Sequence, residues 1–200
     1  MTAAMVDGGQ TGAGRWWDYL LQTWRELDVP DGWRAEIDEG QIRLVPPPHA
    51  HHNAIVAKIQ RALYRVLPEE WEIYQTLGIQ VVPLDKVYVP DLVVMPSALV
   101  DESDPAKTDP VDAAEALLVA EVTSKGNAQD DRTKKLWAYA HAPVPLYLLV
   151  DRFDEHGPTA TLFAEPENGA YTHIERIAFG KPLVLPEPFG LSIDTAAFPH

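Results

Sequence analysis

The chain contains no cysteine, so disulfides, thiolate metal sites and cysteine nucleophiles are excluded, and any metal must be held by oxygen or imidazole. Long apolar runs are missing too: nothing approaches the roughly 18 to 20 continuous apolar residues that a membrane span requires. The opening stretch MTAAMVDGGQTGAGR has neither the basic start nor the apolar centre of a signal peptide. Residues 1–14 read as a disordered leader, and a cytoplasmic protein without membrane attachment is expected. Positive charge is scarce, with 16 Lys and Arg against 30 Asp and Glu and a net charge of -14. Non-specific nucleic-acid affinity comes largely from cations that displace phosphate counterions, so this balance disfavours a nucleic-acid partner unless a basic patch or a bound divalent ion overrides it locally. There is no internal repeat, no heptad run and no Gly-rich phosphate loop.

What is present suits one globular domain over residues 15–200: 200 residues in all, 46% hydrophobic and 23% charged, enough to bury a full core. WWDYLLQTWREL has apolar residues at helical spacing from Trp16 to Leu27, stopped by Pro30-Asp31-Gly32. WRAEI and QIRLV read as a hairpin turning at Asp38 to Gly40. After Pro46-Pro47-Pro48, a helix is expected over 49–67, with Ile55, Ile59, Ala62, Leu63 and Val66 along one face. Strands are expected at 71–83 and 87–95, an exposed loop over 97–115, a strand at 116–124 and a helix over 130–141. PLYLLVD, TATLFAE and YTHIERIAF complete the strands. The order implies a mixed α/β (α+β) domain with a central sheet flanked by helices, preceded by a helix and a hairpin.

Two acids stand where apolar residues belong. In YVPDLVVM, Asp91 follows a proline inside an apolar, β-branched run, and in LLVAEVTSK, Glu121 interrupts another. An unpaired buried carboxylate costs several kcal/mol, so each acid needs a cation, a strand end or a cleft. Two acids on neighbouring strands suggest a shared metal. A hard divalent ion such as Mg2+ or Mn2+ takes oxygen ligands and keeps several waters, so two carboxylates and a carbonyl suffice. On a phosphodiester, such an ion polarises the phosphoryl oxygen and activates water, and a nearby lysine offsets the charge that develops. The competing explanations are structural: a strand-end acid capped by amides for Asp91, and a salt bridge to Lys125 or Lys135 for Glu121. His49, His51 and His52 match no usual zinc spacing and read as solvent-facing imidazoles with one packed inward. The six tryptophans read as packing residues, since none is interleaved with a basic cluster.

Pro90-Asp91 followed by the acid of EVTSK resembles the PD-(D/E)XK nuclease superfamily. More narrowly, EIDEGQI, PPPHAHHNAIV, VPDLVV, EVTS with DRTKKLWAYAHAPVPLYLLVD, GKPLVLP and GLSID are similar, in order and spacing, to the Uma-type restriction endonuclease family over residues 30–198. The resemblance implies a restriction-endonuclease-like fold, an Mg2+- or Mn2+-dependent endonuclease acting on DNA, metal ligands Asp91 and Glu121, and, by analogy, a homodimer. One position departs from the superfamily pattern. Thr123 stands where lysine is usual, so another lysine must serve or the site is inactive. Lys125 keeps the strand parity of Glu121. Lys135 matches a lysine of the family and shares a helix face with Asp131 and Tyr139, and is the preferred catalytic residue, although Asp131 and Lys135 also make an ordinary i,i+4 pair. Glu36 resembles the family's hairpin acid, a third ligand or a hydrogen-bond acceptor behind the ligands, and His52 is a partner for a carboxylate or a phosphate. The alternatives are a catalytically degenerate interaction or regulatory module and a hydrolase of small phosphoesters.

Overall fold

This computed structural model describes residues 12–104 and 109–199. Helix α1 (Gly12–Glu26) already includes residues 12–14, which the sequence assigns to the leader; the remainder of that leader lies outside the described residues. The helix is held by one apolar face, where Leu20, Trp17, Leu21 and Trp24 pack on Ile37 and Val87, and packing of such a face stabilises a helix more than propensity does. The Trp24 indole donates to the Ala35 carbonyl at 2.7 Å, while Trp16, Trp33 and Trp137 lie outside the core and are substantially exposed, Trp16 stacking on Tyr19 and Trp137 against His141.

The hairpin joins β1 (Arg34–Asp38) to β2 (Gln41–Val45) through Glu39 and Gly40, both at positive φ, the conformation that matches strand twist in two-residue turns. Asp38 therefore belongs to the strand and not to the turn. Alternation along β1 puts Arg34, Glu36 and Asp38 on one face and Ala35 and Ile37 on the other. Helix α2 (Ala50–Leu63) buries Ile55, Ile59 and Leu63.

Each of the two strands expected between residues 71 and 95 is divided. The first becomes β3 (Trp71–Tyr74) and β4 (Ile79–Val81), and the second becomes β5 (Lys86–Tyr88) and β6 (Leu92–Pro96). Thr76 at positive φ lies in the first break, and Pro90, with no N–H to give a ladder, lies in the second. β4 and β5 enter one sheet, β3 and β6 another, so Pro90-Asp91 is where the chain crosses between sheets.

The expected 97–115 loop contains the short helix α3 (Ser97–Asp101) and strand β7 (Val111–Asp112); residues 105–108 lie outside the described residues. β8 (Leu118–Val122) leads to a helical stretch made of α4 (Ala128–Asp130), a wide π-type turn (Asp131–Lys135) and α5 (Leu136–His141). β9 (Leu146–Asp151), β10 (Thr159–Glu167), β11 (Ala170–Ala178), β12 (Pro182–Leu185) and β13 (Leu191–Asp194) follow.

The architecture is mixed α+β. A five-stranded sheet has the order β2-β1-β5-β4-β7, a six-stranded sheet has the order β11-β10-β9-β8-β6-β3, and β12 pairs with β13. In the larger sheet β8 and β9 run parallel and the other neighbours antiparallel. Every residue of β8 and β9 is buried, as expected of strands covered on both faces. Leu118, Ala120 and Val122 meet α2 and the β12-β13 hairpin in one core, while Val119, Tyr147 and Leu149 meet Tyr139 and Tyr88 in the other. By alternation Glu121 points into the second layer, toward α5 and the smaller sheet.

Candidate functional site

The antiparallel register of β6 and β8 pairs Leu92 with Ala120, and continuing it by one residue brings Asp91 level with Glu121. The chain crossing at Pro90 thus delivers a carboxylate to the end of the neighbouring strand. Asp91 Oδ2 accepts the Val122 amide at 2.8 Å and meets His52 Nε2 at 2.8 Å; its Oδ1 accepts from Arg34 Nη1 at 2.8 Å. The same guanidinium nitrogen donates to the Val89 carbonyl at 3.0 Å. Arg34 comes from β1 and His52 from the first turn of α2, so three separate elements converge on one acid.

Glu121 Oε1 accepts from Lys135 Nζ and from the Tyr139 hydroxyl, each at 2.9 Å. Lys135 Nζ also donates to Glu36 Oε1 at 3.1 Å, lies 3.6 Å from Asp131 Oδ1 and sits 5.4 Å from the centroid of the Tyr88 ring. Glu36 is held in turn by the Val89 amide at 3.2 Å. Asp131, Lys135 and Tyr139 all face inward, as their spacing predicts. The π-type turn that carries the first two adds width to the helix at that point, a distortion often found where side chains serve a site.

Away from the cleft, the charged face of β1 ends in a brace. Asp38 accepts from Lys86 and, at 3.0 Å, from the Tyr88 hydroxyl. Arg43 and Lys134 each stand 3.6 Å from its second oxygen, and Arg43 reaches Asp130 at 2.8 Å. This network ties the hairpin to the helix that carries Lys135.

Four acids, Glu36, Asp91, Glu121 and Asp131, and the ammonium of Lys135 are all buried. Burial pushes the Glu121 carboxyl up to about 8; Lys135 opposes this, while Asp91, Asp131 and Glu36 add to it. Burial likewise pushes Asp131 up to about 6. For Asp91 burial acts in the same upward direction, but the His52 contact, the Arg34 charge and the Val122 amide outweigh it and hold the carboxyl below the usual carboxylate range. Burial would lower Lys135, yet Glu121, Glu36 and Asp131 prevail and keep it an ammonium well above its ordinary value. Glu121 and Asp131 are therefore held toward their neutral forms chiefly by burial, which the Lys135 ammonium offsets only in part.

Asp91, Glu121, Asp131 and Lys135 line a cleft of about 630 Å³ whose rim includes Pro46 to Pro48, His49, His51, Lys125 and Arg152. Lys125 is exposed on the loop after β8. The strand ends at Val122, so the parity argument does not carry Lys125 inward, and the side chains that meet the acids are Arg34, His52 and Lys135 instead. His49 and His51 are exposed while His52 is buried, matching the expectation of one imidazole packed inward. Thr123, fully buried, donates to Asp151 Oδ1 at 3.1 Å and accepts the Arg152 amide at 3.0 Å. Its place is in a strand-end anchor with Arg132, which grips Asp151 through two nitrogens. Lys135 supplies the ammonium beside Glu121 that Thr123 does not.

Among the described residues, no three His, Asp or Glu side chains already stand as a cage for an ion. The donor chemistry nevertheless fits a hard divalent cation, which takes a few carboxylates and fills its shell with water. A cation there would also offset the cost of burying the charged form of Glu121. Arg34 is the member of the site that sequence reasoning passed over. Its signal was the pattern Arg34-x-Glu36-x-Asp38, three charges on one face of a strand, which reads as an exposed hairpin face until the helix is known to cover it.

A family model described as "Uma2: Putative restriction endonuclease" matches residues 18–196. No curated protein matches the chain. Among solved structures, a protein from Anabaena variabilis ATCC 29413 described as "a putative nuclease belonging to DUF820" is similar with a TM-score of 0.66 and 17% identity, over 86% of this chain and 93% of that one. At that identity the likeness speaks for the fold.

Proposed function

The chain belongs to the Uma2 family of restriction-endonuclease-like proteins, and on that footing we propose that it is a Mg2+- or Mn2+-dependent endonuclease hydrolysing DNA phosphodiester bonds in the cleft at Asp91 and Glu121. The observation that carries this reading is the convergence of those two acids, from β-segments in adjacent register, with a buried ammonium 2.9 Å from Glu121. Asp91 and Glu121 would hold the ion. When bound, it would act as a Lewis acid on a phosphoryl oxygen.

The protein's own groups do the rest. Arg34, His52 and the Val122 amide keep Asp91 ionised and fix its direction. Tyr139 and Lys135 orient Glu121. Lys135, anchored by Glu36, is a fixed positive charge that donates hydrogen bonds and takes no proton, suited to the charge that grows on a phosphoryl group as water attacks. Preorganised charge of this kind needs no rearrangement when the reaction occurs. An ion held by Asp91 and Glu121 would also answer the objection raised by the net charge of -14, because it would make the floor of the cleft locally attractive to phosphate.

The test is cleavage of supercoiled plasmid by purified protein with Mn2+ or Mg2+, beside Asp91→Ala, Glu121→Ala and Lys135→Ala. Activity in the wild type, lost in all three variants and restored by none of the metals, is expected. Wild-type cleavage no faster than that of the variants rejects hydrolysis. One observation favours the alternative of a degenerate, non-hydrolytic module: Asp91 is already engaged by three donors. Calorimetric titration separates the two readings, since an active site should take up Mn2+ near one equivalent and a degenerate one should take up none.

A further inference from the structure

The six-stranded sheet ends on β11, and that edge differs from the others. At the opposite edge β3 has four residues, with Glu69 and Glu70 just before it. In the smaller sheet β7 has two residues, and β2 carries Arg43 and runs into Pro46-Pro47-Pro48. Short strands, charge and proline are the usual means by which proteins keep sheet edges from pairing with another chain. β11 is set apart by length and not by lack of charge: it has nine residues, AYTHIERIA, with no proline and no positive φ within the strand, and it carries Glu175 and an Arg176 that is already paired with Asp154. Its central residue, Ile174, is 60% exposed.

Its sequence is complementary to itself. A twofold axis perpendicular to a continuous sheet must pass through a residue paired with its own copy, because opposed residues in an antiparallel pair point to the same face. Centred on Ile174, all nine positions pair: Ala170 with Ala178, Tyr171 with Ile177, Thr172 with Arg176, His173 with Glu175, and Ile174 with itself. Centring on His173 would set two imidazoles opposite each other, and centring on Glu175 would set two carboxylates opposite, an unfavourable arrangement. The central register instead gives two imidazole–carboxylate contacts and covers the exposed isoleucine. Such an interface is isologous, the commonest symmetry of soluble dimers.

We propose that β11 pairs antiparallel with β11 of a second copy of this chain, centred on Ile174, to form a twelve-stranded sheet across a homodimer. The occupant is a second copy because the strand supplies its own charge partners in one register. The pairing does not depend on what the cleft hydrolyses.

The absence of native cysteine makes the register directly readable. In the full chain carrying Ile174→Cys, the two sulfurs face each other across the axis at a Cα separation compatible with a disulfide. Thr172→Cys faces Arg176 and not itself. Mild oxidation should give a covalent dimer with Ile174→Cys and little with Thr172→Cys. By sedimentation the wild type should weigh close to twice 22.2 kDa. His173→Glu should be monomeric, with unchanged circular dichroism, and adding Glu175→His should restore the dimer by exchanging the pair. A wild type that sediments at 22.2 kDa at its highest soluble concentration, equal cross-linking at both cysteine positions, or a His173→Glu variant that remains dimeric overturns the proposal.

Discussion

Replacing Glu121 with glutamine tests the electrostatics of the cleft without disturbing its shape. Glutamine keeps an acceptor for Lys135 and Tyr139, and Lys135 keeps Glu36 and Asp131, so no buried cation is stranded. The Glu121 carboxyl rises from 4.5 to about 8 on folding, chiefly through burial. Between those values the folded state binds a proton that the unfolded state has lost, so stability is greatest below 4.5 and declines as pH climbs toward 8. Each pH unit in that window removes up to about 1.4 kcal/mol, and the whole decline is on the order of 3 to 5 kcal/mol. Glu121→Gln escapes it. In chelator, the variant and the wild type should melt together near pH 4.5, and at pH 8 the variant should melt higher by roughly 6 to 20 °C, using about 2 to 4 °C per kcal/mol for a domain of this size. Adding Mn2+ at pH 8 should raise the wild type and leave the variant where it was. Scanning calorimetry across the pH range reads all of this. A wild type as stable as Glu121→Gln at pH 8 in chelator would mean that Lys135 fully offsets the burial, and the argument that burial penalises the charged form of Glu121 would fail.

Other outcomes follow from the same geometry. Asp38→Asn strands the buried Lys86 and should cost about 3 to 5 kcal/mol near neutral pH by urea denaturation. The Asp38 carboxyl lies below its ordinary value of 3.8, since Lys86, Tyr88 and Lys134 outweigh burial. Its contribution is therefore complete above 3.8 and fades as pH falls through the lower folded value, so the two melts should converge on acidification. Thr123→Val leaves the Arg152 amide without its acceptor and should destabilise by about 1 to 3 kcal/mol, while Mn2+ affinity measured by calorimetry stays unchanged, because Thr123 serves the Asp151 anchor and not the acids. Lys125→Ala should alter neither the melting temperature nor the Mn2+ titration, and a loss of metal affinity there would contradict the assignment of Lys135.

Much of the site could be read from residue order because burying charge is expensive. Asp91 and Glu121 stood out against apolar runs, and Lys135 shared a helix face with Asp131 and Tyr139. The strand breaks were harder to see. Residues 71–83 and 87–95 look like continuous strands, since hydrophobic alternation reports that a segment is extended and says nothing of which sheet it joins. Thr76 and Pro90 mark the divisions, but only the pairing partners turn a local bend into a crossing from one sheet to the other. Lys125 was plausible for a related reason: parity holds only while the strand lasts, and β8 ends at Val122.

The sequence alone determined the mixed α+β class, the apolar faces of α1 and α2, and the two acids that needed partners, because periodicity and the cost of desolvation act on each segment by itself. Tertiary structure decided which groups answer those acids. Arg34 lies 57 residues from Asp91, and Glu36 lies 99 from Lys135. Contacts between residues that far apart depend on strand register and on the angle at which a helix crosses a sheet, and both are set by the packing of the whole core.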